Sequence, residues 1–160
     1  PPLVHRLVGR PLIAQPAANY AKLCLRFVAG LYLARGRVDV PDFRGTENLQ
    51  DPEIHRLASL VDVVLDDNPD QNALDPQTVT VALKSGAQHS ITLPHVYGHP
   101  KAPLSDAENV EKFTRCAGYG VVPLPQARMQ ALVDTVAGIE AETDVARLVS
   151  LTLADGSVSP

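Results

Sequence analysis

The spacing of apolar and polar positions changes period twice along the chain. From Asn19 to Arg35, "NYAKLCLRFVAGLYLAR" combines strong helix formers with apolar residues on nearly every side, among them Leu23, Phe27, Val28, Leu31 and Tyr32. A helix that is apolar all round is a buried one, and Gly36 follows it where a C-terminus favours glycine. A second helix is predicted at "DPEIHRLASL", with Asp51 as its cap and Pro52 at the first helical position. The period then shortens to two. "VDVVL" (61–65), "TVTVALK" (78–84) and "HSITLPHVY" (89–97) are β-branched and alternating, which predicts three strands. Val79, Val81 and Leu83 share one face and Thr78, Thr80 and Ala82 the other, and "KSGAQ" joins the last two strands as a hairpin. Helical spacing returns in "SDAENVEKFTRCA", where Ser105 and Glu108 form a capping box. It continues in "QARMQALVDTVAGIE" and in a short "DVARLVSL".

These elements predict an α+β fold: a two-layer domain with a small, mainly antiparallel sheet, helices packed on one face, and further helices at the C-terminal end. The opening "PPLVHRLVGRPLIAQPAA" is broken by prolines and reads as an extended arm over 1–18. The α+β domain is expected over 19–118 and a C-terminal helical segment over 119–160.

Composition narrows the function classes. At 160 residues the chain suits one domain, or one domain plus a segment that packs against something else. Three phenylalanines, four tyrosines and no tryptophan leave the core to Val, Leu, Ala and Ile. The net charge of -4, with no basic stripe interleaved with aromatics, argues against nucleic acid as a partner. The longest apolar run is interrupted by Arg26 and is too short for a membrane span. No signal-peptide pattern is visible. Cys24 and Cys116 are lone thiols in helical patterns, which points to buried free cysteines in a reducing cytoplasm. The chain begins Pro1-Pro2 without an initiator methionine, as expected of a processed start or of a piece of something larger.

Few residues advertise chemistry. "DDNPDQN" (66–72) has acids at alternate positions like a calcium loop. Its sixth position is Gln71 instead of Gly and its twelfth is Gln77 instead of Glu, so it reads as a solvated loop. His95 and His99 have a spacing that serves a metal on a helix, but Gly98 and Pro100 break any helix there and no third ligand is near in sequence. No metal site is therefore expected. No P-loop, dinucleotide fingerprint or G-x-S-x-G is present, so no cofactor is expected either. Lys22 and Arg26 lie one turn apart on an otherwise apolar helix, with Tyr20 near its start. Cations there need an anion, which is either an internal acid or a carboxylate ligand, or Arg26 snorkels to the surface. In "YGHPKAPLSDAENVEKF" (97–113), His99 and Lys101 lie among Gly98, Pro100 and Pro103 just before the capping box.

The ordered motifs "VHRLVGRP", "NYAKLCLRFVAGLYLARGRVDVPDF", "TVTVALKSG" and "GHPKAPLSDAENVEKF" resemble the C-terminal half of MmgE/PrpD proteins over nearly the whole chain. That family includes 2-methylcitrate dehydratase, cis-aconitate decarboxylase and iminodisuccinate epimerase. The resemblance implies an α+β lid that closes over an active site, followed by helices that return to a large helical domain. It implies a lyase or isomerase acting on a small di- or tricarboxylic acid. The family's acid/base groups lie mostly in segments outside the match, so no catalytic residue is assigned and the chain alone is expected to be inactive. Tyr20, Lys22, Arg26, His99 and Lys101 are the candidates for binding substrate, although for His99 and Lys101 the prolines and the capping box favour the structural reading, a connection that leads the chain into a helix. Where several members carry a tyrosine, this chain has Phe27, and a hydroxyl that contacts substrate is missing. The alternative class is a non-catalytic interaction module or subunit derived from the family. In either case Met129, Leu132, Val133 and Val136 form one apolar stripe expected to be an interface, in a homodimer or against a separate helical domain.

Overall fold

Residues 1–153 are described by the computed structural model, and they divide between two compact units, Pro1–Pro103 and a second starting at Leu104. Among the described residues, seven α-helices and one two-stranded antiparallel sheet make an α+β fold. No helix among them is long and apolar enough to cross a membrane.

The first unit begins with α1 (Pro2–Val8), where an extended arm was expected. The prolines that argue against a helix stand at its very start, where a missing N–H costs nothing; Pro11 and Pro16 lie beyond its end. The single long helix expected over 19–35 is two helices, α2 (Ala18–Lys22) and α3 (Leu25–Arg35). The interruption lies at Cys24, whose backbone forms an isolated antiparallel bridge with Gly9 and whose thiol faces the carbonyls of Arg10 and Pro11. Gly36 ends α3 in the left-handed conformation, as its position predicts. Asp51 caps α4 (Pro52–Ala58), accepting the N–H groups of Glu53 and Ile54 at 2.8 and 3.4 Å.

The core lies between helices. Ala21, Cys24, Phe27, Leu31, Leu49 and Ile54 are buried together, and each of the large side chains contributes roughly 1.5–3 kcal/mol by leaving water. Gly30 lets α3 and α4 approach closely: a Cβ there would lie 2.6 Å from the Ile54 carbonyl oxygen and 2.8 Å from Ala58 Cβ. Contrary to a helix apolar on every buried side, Leu23, Tyr32 and Leu33 face outward.

The hairpin forms where expected. β1 (Gln77–Ala82) pairs with β2 (Gln88–Leu93) from Gln77↔Leu93 to Ala82↔Gln88. Thr78–Thr92 and Thr80–Ser90 hydroxyl pairs, at 2.9 and 3.0 Å, link one face. Val79, Val81, Leu83, Ile91 and Leu93 are all exposed, so the helices pack on one another instead of on the sheet. The strand predicted at 61–65 is irregular chain. Among the described residues no strand lies beside it to complete a ladder, and alternation alone cannot supply one. Downstream, Asp66, Asn68 and Asp70 each accept the N–H two residues on, so the calcium-like stretch is a run of local turns.

The second unit contains α5 (Asp106–Ala117), α6 (Gln126–Ala137) and α7 (Ala146–Thr152). Its start precedes the expected boundary at 118/119 because α5 packs with α6 and belongs to this unit. The Ser105–Glu108 capping box forms as predicted. Cys24 is buried, whereas Cys116 is exposed on α5.

Candidate functional site

The hairpin brings two residues together that are far apart in sequence. Its register, continued two residues beyond Gln77↔Leu93, sets Asp75 opposite His95, and His95 Nδ1 lies 2.9 Å from Asp75 Oδ2. After β2 the chain turns sharply: Gly98 adopts φ 91°, and the Ala102 N–H donates to the His99 carbonyl at 2.7 Å. Only glycine takes that φ without strain. The turn lays the His99 ring on the His95 ring, with centroids 4.6 Å apart and planes 10° from parallel. The backbone N–H of Lys101 donates to His99 Nδ1 at 3.0 Å.

Asp75, His95 and His99 are all half-buried, and their ligand atoms lie within 4.8 Å of one another. The Asp75 carboxyl is held below its ordinary value, chiefly by the hydrogen bond from His95, which outweighs the opposing effect of burial. The charges of His95 and His99 and the Val96 N–H lower it further. It is therefore ionised near neutrality and can only accept hydrogen bonds. Two imidazoles and a carboxylate form a familiar ligand set for a divalent transition metal. The arrangement nevertheless fits a metal poorly. Ring lone pairs lie in the ring planes, and two nearly parallel, stacked planes do not converge on one ion. One nitrogen of each ring is also already engaged, by Asp75 and by the Lys101 N–H.

The other sequence-predicted binders lie on α2 and α3, and each has a partner within the chain. Arg26 pairs with Asp62 at 2.8 Å. The Tyr20 hydroxyl donates to the Pro11 carbonyl at 2.7 Å, and Arg10 lies over its ring at 5.5 Å. Lys22 Nζ is 5.8 Å from the Phe43 ring centroid. Phe27 packs against Phe43 and His55 in the core, so a tyrosine hydroxyl at this position would start from a buried site. His55 Nε2 meets the Leu49 carbonyl at 2.9 Å and is structural.

Asp75 and His95 are the residues sequence reasoning left without a role. The signal for them was the hairpin itself, because a predicted turn at "KSGAQ" fixes which flanking residues face each other.

In the second unit the apolar stripe of α6 divides. Met129 and Leu132 are buried inside the unit. Val133 and Val136 line an apolar groove of about 750 Å³, together with Val110, Phe113 and Leu148.

The family model for the MmgE/PrpD C-terminal domain matches residues 1–138. Comparison with curated proteins gave no match.

Proposed function

Because the chain belongs to the MmgE/PrpD family, through that family's C-terminal domain, we propose that it forms the lid portion of a lyase or isomerase for a small di- or tricarboxylic acid. The family match is the observation that carries this reading. The geometry supports it with donors suited to carboxylates. Lys101 is exposed on the turn that holds His99. Among the described residues Arg26 pairs with Asp62, whose side chain is 82 % exposed. Exposed ion pairs contribute about 0–1 kcal/mol, so a substrate carboxylate can replace Asp62 at little cost.

The chemistry proposed for the family is removal of a proton next to a carboxylate, followed by loss of water or carbon dioxide or by re-protonation. Lid residues serve it by offsetting substrate charge. These 160 residues are expected to bind such acids without turning over 2-methylcitrate or cis-aconitate. Half-exposed groups on one open turn cannot exclude water or complete an acid/base constellation.

Calorimetric titration tests the reading. Citrate or cis-aconitate is expected to bind saturably, and Lys101→Ala or Arg26→Ala to weaken binding about tenfold, the loss of roughly one charge-assisted contact. Binding unchanged in both variants, or equal binding of the neutral triamide, would overturn it. The alternative of a non-catalytic interaction module draws on one observation, the apolar groove lined by Val133 and Val136. Absence of carboxylate binding together with stable self-association would favour that alternative.

A further inference from the structure

We infer that a cavity in the second unit takes a free α-amino acid with a cationic side chain. The site lies wholly within that unit and does not depend on the polycarboxylate reading.

The cavity, of about 410 Å³, is lined by residues of α6, of the short 3-10 turn Ile139–Ala141 that follows it, and of α7. Ala131, Gly138 and Ala141 are too small to fill it. Its charged lining is Asp134, Glu142 and Arg147, the last two beyond the residues that the family model matches. Arg147 Nη1 pairs with Glu142 Oε2 at 3.2 Å. The Glu142 side chain is only 15 % exposed, yet among the described residues its donors are this N–H and the Asp144 N–H, the latter at 3.4 Å. A carboxylate offers about four acceptor sites, and one withdrawn from water needs donors to fill them. Asp134 accepts the Gln130 amide at 2.9 Å through Oδ1, which leaves Oδ2 available. Thr135 is buried and gives its hydroxyl proton to the Ala131 carbonyl at 2.7 Å, so it too can only accept.

The lining is therefore rich in acceptors, with one donor group, the remaining N–H groups of the Arg147 fork. Two carboxylates against one guanidinium also leave one negative charge uncompensated. A ligand that answers both is mainly a donor, carries net positive charge and has one carboxylate. The Arg147–Glu142 pair fixes where that carboxylate sits. A cation and an anion 3.2 Å apart match the ammonium and carboxylate that an amino acid holds on a single carbon, set head to tail. The internal pair then stays intact while each half gains a partner. Asp134, on α6, is left for a second ammonium at the end of the ligand's side chain. A diamine has nothing for Arg147, and an amino acid with an apolar side chain leaves Asp134 unneutralised. L-lysine carries all three groups.

Titration of the whole chain with L-lysine, L-norleucine and cadaverine separates these contributions, because norleucine lacks the side-chain ammonium and cadaverine lacks the carboxylate. Lysine is expected to bind saturably and about tenfold more tightly than either, the difference of roughly one charge-assisted contact. It should also shift the backbone amide resonances of Thr135, Gly138 and Ala141. Asp134→Asn is expected to bring lysine down to the norleucine level, and Arg147→Gln to the cadaverine level. Both side chains are exposed, so the circular dichroism of each variant should match the parent's. The comparison of ligands on the parent chain needs no variant: absence of saturable lysine binding overturns the assignment, and so does equal binding of the three compounds. Lysine held equally by the parent and both variants would place its binding elsewhere and overturn it as well.

Discussion

At Gly30 the missing side chain determines how closely α3 and α4 can approach. A Cβ would meet the Ile54 carbonyl oxygen, the Ala58 nitrogen and Ala58 Cβ at 2.6, 2.7 and 2.8 Å, and backbone atoms on the facing helix cannot swing aside. Gly30→Ala gains helix propensity, up to about 1 kcal/mol, but forces the two helices apart around Phe27, Leu31 and Ile54, which are fully buried. Overpacking of this kind costs about 1–3 kcal/mol. We therefore expect Gly30→Ala to be net destabilising in chemical denaturation. An unchanged or raised midpoint would show that the helices can separate freely. Residues whose role is set by near neighbours were the most legible in the sequence. Gly36, Asp51 and the Ser105–Glu108 pair act within a few positions of themselves and stand where the pattern puts them. Gly30 does not, because the helix it touches lies more than twenty positions away.

For a whole helix the corresponding case is α4. Asp51 caps it and also pairs with Arg35 of α3 at 2.6 Å, so one carboxylate both starts the helix and ties it to its neighbour. Its carboxyl lies below the ordinary value of 3.8, chiefly through the Glu53 N–H, against the opposing effect of burial, with Ile54 and Arg35 adding to the lowering. A carboxyl whose folded value lies below its unfolded value stabilises the fold fully above the unfolded value. That contribution is lost as the pH falls through the folded one. Asp51→Ala is accordingly expected to lower the melting temperature near neutrality and to lose part of the difference between neutral and about pH 2 that the parent shows. Circular dichroism melts of both proteins at the two pH values check this. An equal deficit at both would assign the loss to something other than the ionised cap. Elements that need a partner were less legible than elements that need only a cap. The segment 61–65 alternates as a strand should, yet among the described residues no second strand lies beside it. The hairpin carries its partner with it, and its register also sets Asp75 opposite His95. The candidate site was thus latent in a correctly predicted turn, while the stacking of His99 depends on a backbone turn at Gly98 that periodicity does not encode.

At the scale of the whole molecule the question is what covers the apolar surface. The hairpin exposes Val79, Val81, Ile91 and Leu93, and the second unit exposes Val136 at the edge of its groove. The stripe on α6 read as an interface from spacing alone, but spacing cannot say how much of a stripe the unit itself consumes. Met129 and Leu132 are consumed: Leu132 is only 5 % exposed, so a charge there would damage the fold and reveal nothing about association. Val136, 55 % exposed, is the informative position. Covering about 400 Å² of such surface at roughly 25 cal/mol per Å² is worth on the order of 10 kcal/mol before the cost of association. That cost is about 4–15 kcal/mol, so the balance favours a partner only if most of the groove is covered. We expect the chain to self-associate in the micromolar range, and Val136→Glu, which buries a charge at the groove, to shift it to monomer with an unchanged circular dichroism spectrum. Sedimentation velocity across a concentration series distinguishes the outcomes. A parent chain that stays monomeric at high micromolar concentration, or a Val136→Glu chain that associates as tightly as the parent, would show that the groove is not where copies of the chain meet.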